Sequence, residues 1–532
     1  MIGKHLRFIF LAFSVLTISV SNGQTIQIQG EQSGTLLADT VILSGNVTVP
    51  ENSLLTFLPG TKVISSGFFG FRVLGSIHAA GTEALPVAFS VADTTGFSNP
   101  ENERGGWDGF DFTETSAAAD SSIFSFCSFE FGKAFGDSLE KMGGVFNIRG
   151  FSLVSISHSR FFNNRAYYWG GAVFCESGDI LISGCTFENN SCGTPGPPYG
   201  YGGAVCTRYS NANIIRNTFT GNASTGIGGA VSFEYSDILL NANHFHGNFS
   251  GLGGALGYLR SDPVRTITNN LFTGNSCVFF GGAISCNRAH PRFVNNTITE
   301  NFSQSYGGGF YCNDSAVPVL VNNILYNNSA PVGSEVYIWD IYSAPEFYYC
   351  DVEGGKEAFE GSGGTAYTAP YINNIDTLPG FSMSTLYPYS LSEDSPCINT
   401  GNPDTTGLLL PGTDLAGYQR IYDGIVDMGA YEFQPGVWAN QLQSGVEVLQ
   451  CYPNPFSDRV TFSNIPASFG NSTLEVTDIS GKTIIRRTGI PGCEYTWVLS
   501  PEEKKLLKPG ICFVRLTSGD KKAIGKLIYL PD

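Results

Sequence analysis

An all-β chain, a parallel β-helix (solenoid) followed by a small antiparallel β-sandwich, is predicted by three features of the sequence. A phenylalanine followed three residues later by asparagine recurs at Phe161/Asn164, Phe187/Asn190, Phe219/Asn222, Phe245/Asn248 and Phe272/Asn275, with relaxed forms at Ile298/Asn301 and Leu325/Asn328. A glycine pair followed by small and apolar residues interleaves with it, at Gly170-Gly171-Ala172-Val173, Gly202-Gly203-Ala204-Val205, Gly228-Gly229-Ala230-Val231, Gly253-Gly254-Ala255-Leu256, Gly281-Gly282-Ala283-Ile284 and Gly307-Gly308-Gly309-Phe310. The asparagines step by 26, 32, 26, 27, 26 and 27 residues. Such a period marks a solenoid or a propeller, and a blade needs about 40 residues or more, so one three-sided coil of a β-helix fits.

Within each unit, short apolar runs such as Ile180-Leu181-Ile182 and Val319-Leu320-Val321 are broken by Gly and Asn and carry no helical period. Equivalent residues of successive coils then lie about 4.8 Å apart. The phenylalanines become a stack of rings inside, the asparagines bond turn backbones, and the glycines supply positive φ at sharp turns. Residues 24–122 hold N-terminal coils and a cap, with strands such as Val41-Ile42-Leu43 and Val63-Ile64 but no glycine-pair phrase; residues 123–435 form the β-helix with its closing segment; 436–447 are a linker; and 448–532 are the sandwich. The insertion at Ser191–Tyr201 accounts for the one long step, because its prolines cannot continue a ladder.

Residues 1–23 read as a signal peptide: Lys4, His5 and Arg7 precede an apolar run from Phe8 to Val20, and Ser21 and Gly23 are small. No later stretch approaches the roughly 20 apolar residues of a membrane-spanning helix. A net charge of −17 argues against nucleic acid, whose phosphates need a basic face. The 13 cysteines follow the repeat. Cys175, Cys286 and Cys312 share a column, where a Cys286–Cys312 disulfide and a ladder of free thiols both fit the coil spacing. No CxxC pair exists, so no zinc site is expected.

The phrases from Gly143 to Asn328 resemble the repeats of the chlamydial polymorphic outer-membrane proteins, within the pectin-lyase-like superfamily of right-handed parallel β-helices. The resemblance implies a right-handed coil and adhesion; the wider superfamily also holds lyases and glycosidases. Ser395 to Asn402 and Thr413 to Glu432 resemble the closing segment of bacterial extracellular β-helices. There Asp404, Asp414 and Asp427 either gather around Ca2+ or bond turn backbones.

From about Val448 the lysines concentrate. Tyr452-Pro453-Asn454-Pro455-Phe456, Leu474 to Lys482 with Gly481, and Lys508-Pro509-Gly510 through Leu516 resemble the type A C-terminal sorting domain of the type IX secretion system of Bacteroidota. Cys512 departs from it, where that family has an aromatic. The resemblance implies that the type IX machinery carries the chain across the outer membrane and that its sortase removes the domain and attaches the rest to surface lipopolysaccharide.

Chemistry is sparse. The chain has no Asp-Asp pair, no Gly-His-Gly, no Arg-Ile-Lys and no Gly-x-Ser-x-Gly, so no catalytic residue is assigned. One candidate surface emerges from the register. Two residues after the cysteine column stand Tyr209, Tyr235, Arg260, Arg288 and Asp314, and two further on Asn211, Asp237, Asp262 and His290. Aromatic faces beside guanidinium and carboxylate groups suit a sugar chain lying along the coil axis; paired charges on a solvated column are the plainer account. The sequence therefore reads as a secreted cell-surface adhesin or glycan-binding protein, with a polysaccharide lyase or glycoside hydrolase, or a structural surface-layer component, as the alternatives.

Overall fold

The computed structural model describes residues 24–435, except 100, 117–118, 137–141, 195, 198, 262–264 and 385, and residues 446–529, except 453–455, 466–468, 470–471, 478–481, 491–492, 508–509 and 520. The signal-peptide stretch 1–23 and linker residues 436–445 lie outside the described residues. The chain divides into two units, Met1–Phe433 and Gln434–Asp532.

In the first unit each central coil lays down four short strands, as in Val205–Arg208, Asn211–Ile215, Thr218–Thr220 and Ala223–Ser224. Each pairs in parallel with its equivalent one coil on, so the strands stack into long sheets. Alternation sets the inside: Ile180 and Ile182 are buried while Leu181 between them is exposed. Single residues in the left-handed region turn the chain between faces. In one coil these are Tyr209 (φ 49°), Arg216 (56°), Gly221 (64°) and Gly228 (70°). The Ser191–Tyr201 insertion leaves this path after the Ser191–Cys192 strand and rejoins it at Tyr201, which bridges Trp169 and Ile227.

The glycine pair does two jobs, where the sequence reading gave it one. The first glycine turns the chain, with φ of 63° to 73° from Gly170 to Gly307. The second is needed for close approach. A Cβ on Gly171, Gly203 or Gly229 would lie 2.0 Å from the carbonyl oxygen of the matching glycine one coil on, and nothing can yield because that atom is backbone.

Phe161, Phe187, Phe219, Phe245 and Phe272 stack inside with centroids 4.4 to 4.9 Å apart. Beside them the asparagines form a continuous buried chain. Asn190 Nδ2 donates to Asn222 Oδ1 (2.9 Å) and to Phe161 O (3.1 Å), while its own Oδ1 accepts from Asn164 N and Nδ2. The pattern repeats through Asn222, Asn248, Asn275 and Asn301 to Asn328. A second ladder, which the sequence reading missed, runs through Cys127, Ser159, Cys185, Asn217, Asn243, Asn270, Asn296, Asn323, Cys350 and Asn374, each accepting the backbone N–H of the one before. Its asparagines stand two residues before the Phe position, but Cys and Ser serve the same acceptor role in the outer coils and dilute the signal. The cysteines from Cys127 to Cys451 and Cys512 are free thiols, Cys286 and Cys312 included, although those two are register partners.

The first asparagine ladder ends on a carboxylate. Asn328 donates its backbone N–H to Glu335 Oε1 (2.8 Å) and its amide to Oε2. Burial pushes the Glu335 carboxyl up to about 8, the Asn328 bonds pull it down, and Glu353 raises it further. The folded chain therefore keeps a proton that the unfolded chain loses at ordinary carboxylate pH. Stability contributed by this group is full below pH 4.5 and drains away as pH rises through about 8. Glu335→Gln should remove up to ~1.4 kcal/mol per pH unit of slope across that window, read by urea unfolding at a series of pH values. An unchanged slope would show that Glu335 does not titrate there.

The closing segment runs back along the coils. Arg216 Nη2 bonds Thr413 Oγ1 (3.0 Å), Asn269 Nδ2 bonds Thr413 O (2.9 Å), Asn295 Nδ2 bonds Asp427 O (2.7 Å), and Asn322 Oδ1 accepts from Asn402 N (2.7 Å). A buried Arg420–Glu432 ion pair (2.9 Å) locks it. Asp414 and Asp427 are buried here and accept backbone N–H groups of Tyr418, Glu432, Asn399 and Phe433, while the exposed Asp404 accepts from Thr406 N two residues on. Among the described residues no three acidic, His or Cys side chains are placed to hold a metal ion.

The second unit has a five-stranded and a three-stranded sheet around Phe462, Leu474, Val476, Trp497, Val514 and Leu516. It departs from a purely antiparallel sandwich in two places. Val446–Val448 pairs in parallel with Lys521–Tyr529, and Pro501–Leu506 is a helix. The helix signal was in the sequence: Ser500 caps Glu503 N, Glu503 reaches back to Ser500 N, and proline stands at the first turn.

Candidate functional site

Tyr209, Tyr235, Arg260, Arg288 and Asp314 each follow an equivalent strand end and turn the chain at one corner, with φ between 47° and 56°. Backbone bonds fix the column: Tyr209 N to Glu234 O (3.0 Å), Tyr235 N to Leu259 O (3.2 Å), Arg260 N to Asn287 O (3.0 Å) and Arg288 N to Asn313 O (3.1 Å). The next residue in the first three of these coils is serine. Ser210, Ser236 and Ser261 each donate back to the carbonyl two residues earlier, and the first two N–H groups donate to the following serine, which stiffens the corner. All five corner side chains face solvent; Tyr209 is 50% and Tyr235 41% exposed. A left-handed backbone costs a non-glycine residue roughly 1–2 kcal/mol, so Tyr and Arg are not what the turn itself prefers.

The companion column is less regular. Asp237 is in register with Asn211, and Arg265 holds it through a backbone N–H at 3.1 Å and an ion pair at 3.6 Å. Asp262 lies outside the described residues. The sheet resumes with Leu240 opposite Ile267, a step of 27 where Tyr235 to Arg260 is 25, so the turn between holds two extra residues. His290 is exposed, with its N–H on Ser261 O at 3.2 Å.

Two features at the corner were not read from the sequence. One is a ladder of alternating charge one residue before it, Arg149–Glu176 (2.5 Å), Glu176–Arg208 (3.3 Å) and Arg208–Glu234 (3.1 Å), which the corner residue Arg260 ends by pairing with Glu234 (3.5 Å). Its signal, a position alternating in sign from coil to coil, becomes legible only once strand register is fixed. The other corrects the expected chemistry. Tyr209 and Tyr235 stack on each other at 4.9 Å and 6°, and Arg208 lies over Tyr209 at 4.9 Å. Each ring therefore has one face covered by the other, and edges and hydroxyls make up more of what the pair offers. The Arg288 side chain has no ion-pair or hydrogen-bond partner among the described residues.

Residues 120–301 match the family described as right handed beta helix region. Residues 450–529 match the secretion system C-terminal sorting domain. No curated protein matches the chain. The first unit is thus a right-handed β-helix, and the type IX sorting domain directs the chain out to the cell surface. Within the sorting domain Tyr452 ends the strand Gln450–Tyr452 and Gly510 begins Gly510–Ser518, whereas Pro453, Asn454, Pro455 and Gly481 lie outside the described residues. No helix among the described residues is long and apolar enough to cross a membrane.

Proposed function

We propose that the β-helix is a surface-displayed adhesin that binds polysaccharide along the corner from Tyr209 to Asp314. The observation that carries this reading is the unbroken solvent-facing column of Tyr209, Tyr235, Arg260 and Arg288, held at coil spacing on strained backbone that glycine would fill more cheaply. Phenol edges and guanidinium groups in a rigid row suit the hydroxyls or uronates of an extended chain. The carboxylates beside it are engaged by arginine, Glu176 and Glu234 twice each and Asp237 by Arg265, which favours binding over acid–base catalysis. The likeness of the repeats to the chlamydial surface proteins points the same way.

The test is a polysaccharide panel scored for binding and for released reducing or unsaturated ends. The full chain should bind without cleavage, and Arg260→Ala with Arg288→Ala should weaken binding about tenfold or more. Arg288→Gly should leave stability within about 1 kcal/mol, because relief of the left-handed backbone offsets glycine's entropy, yet still lose affinity. Full affinity in these variants, or turnover that Asp237→Ala abolishes, would overturn the proposal.

A further inference from the structure

The residue just before each glycine pair, Trp169, Tyr201, Ile227, Leu252, Phe280 and Tyr306, forms with Val332 before Gly333 a column that the function above does not use, joined coil to coil by single bridges or strand pairing. Every one is half-buried on the outer face. At its C-terminal end the column widens. Phe280 stacks with Tyr306 (5.4 Å) and Tyr311 (4.7 Å), Trp339 stands across it at 5.4 Å and 84°, and Tyr337 lies 4.9 Å from Tyr306. Trp339 is 48% exposed, and Phe279, Ile341 and Tyr342 beside it are more so. Exposed aromatic residues clustered on one face are the kind of surface that marks a binding site.

We infer that this aromatic platform is a second binding site, and that its ligand is an uncharged polysaccharide. The inference rests on reading the chain as a glycan binder. Three observations select the ligand. The Tyr306 and Tyr337 hydroxyls and the Trp339 indole N–H have no hydrogen-bond partner among the described residues, so aromatic surface comes with free polar edges, as a sugar ring requires. The rings repeat at coil spacing along the axis, which fits a repeating linear chain. The charged groups next to Trp339 and Tyr337 are acidic: Asp340 follows Trp339 in the chain and accepts the Asp314 N–H (2.7 Å), and Glu360 is bridged to Tyr337. Carboxylates accept from hydroxyls and repel uronate or sulfate.

The experiment titrates the full chain with a neutral β-glucan and with the same glucan carboxymethylated, following tryptophan fluorescence and affinity electrophoresis. The neutral polymer should bind at least tenfold more tightly. Trp339→Ala and Tyr306→Ala should each lose about tenfold, and Trp339→Phe should retain most of the affinity. Neutral-glucan binding that survives Trp339→Ala but falls with Arg260→Ala would sink the platform while leaving the corner reading intact. Binding of no polysaccharide at all would sink both. Concentration-dependent dimerisation lost in Trp339→Ala would assign the face to a second copy of the chain and overturn the glycan assignment.

Discussion

Gly229→Ala should cost the β-helix more than about 4 kcal/mol, a loss reached by few single substitutions. The added Cβ would lie 2.0 Å from Gly254 O and 2.7 Å from Phe249 N and O, all of them backbone atoms pinned by the parallel ladder. Relief would require two coils to separate, and in a solenoid each coil is stabilised mainly by its neighbours. Gly247→Ala is the control. Its φ is +63° but no atom lies within 4 Å of the new Cβ, so the expected cost is only the left-handed strain of roughly 1–2 kcal/mol. Urea unfolding of both variants decides the matter. Equal losses would mean that the coils yield and that close approach is not why the second glycine is there.

Deleting Val448–Asp532 should abolish surface display while leaving a folded β-helix inside the outer membrane. The β-helix has its own core, from Ile28 through Phe359, and the sorting domain has another around Trp497 and Leu474, with no residue in common. The address lies in residues 450–529. Protease treatment of intact cells should leave the truncated chain untouched, and lysis should release a fragment as resistant to limited digestion as the full protein. Normal display of the truncated chain would show that export does not depend on the sorting domain.

Much of this molecule was legible because a solenoid writes its structure in columns. The period, the Phe and Asn ladders and the alignment of Tyr209, Tyr235, Arg260 and Arg288 all follow from counting residues between repeats of one phrase, while the sorting domain was read from the resemblance of its motifs. Hydrogen bonding imposes one register on successive coils, so a column in the alignment is a row in space. Where one job is done by several residue types, counting fails: Cys, Ser and Asn alternate in the second ladder, and Trp, Tyr, Ile, Leu and Phe share the position before the glycine pair.

Other features belong to the tertiary structure alone. Arg420 reaches Asn269 across 151 residues, and the closing segment contacts Arg216 and Asn322 although nothing in it repeats. Which glycine turns the chain and which lets two coils touch depends on the distance between backbones, and the covering of the Tyr209 and Tyr235 faces depends on ring orientation. Sequence determined what recurs at the spacing of the coil, because the parallel ladder converts that period directly into position. Tertiary structure decided the contacts made once only, because they depend on how surfaces meet, and no period records that.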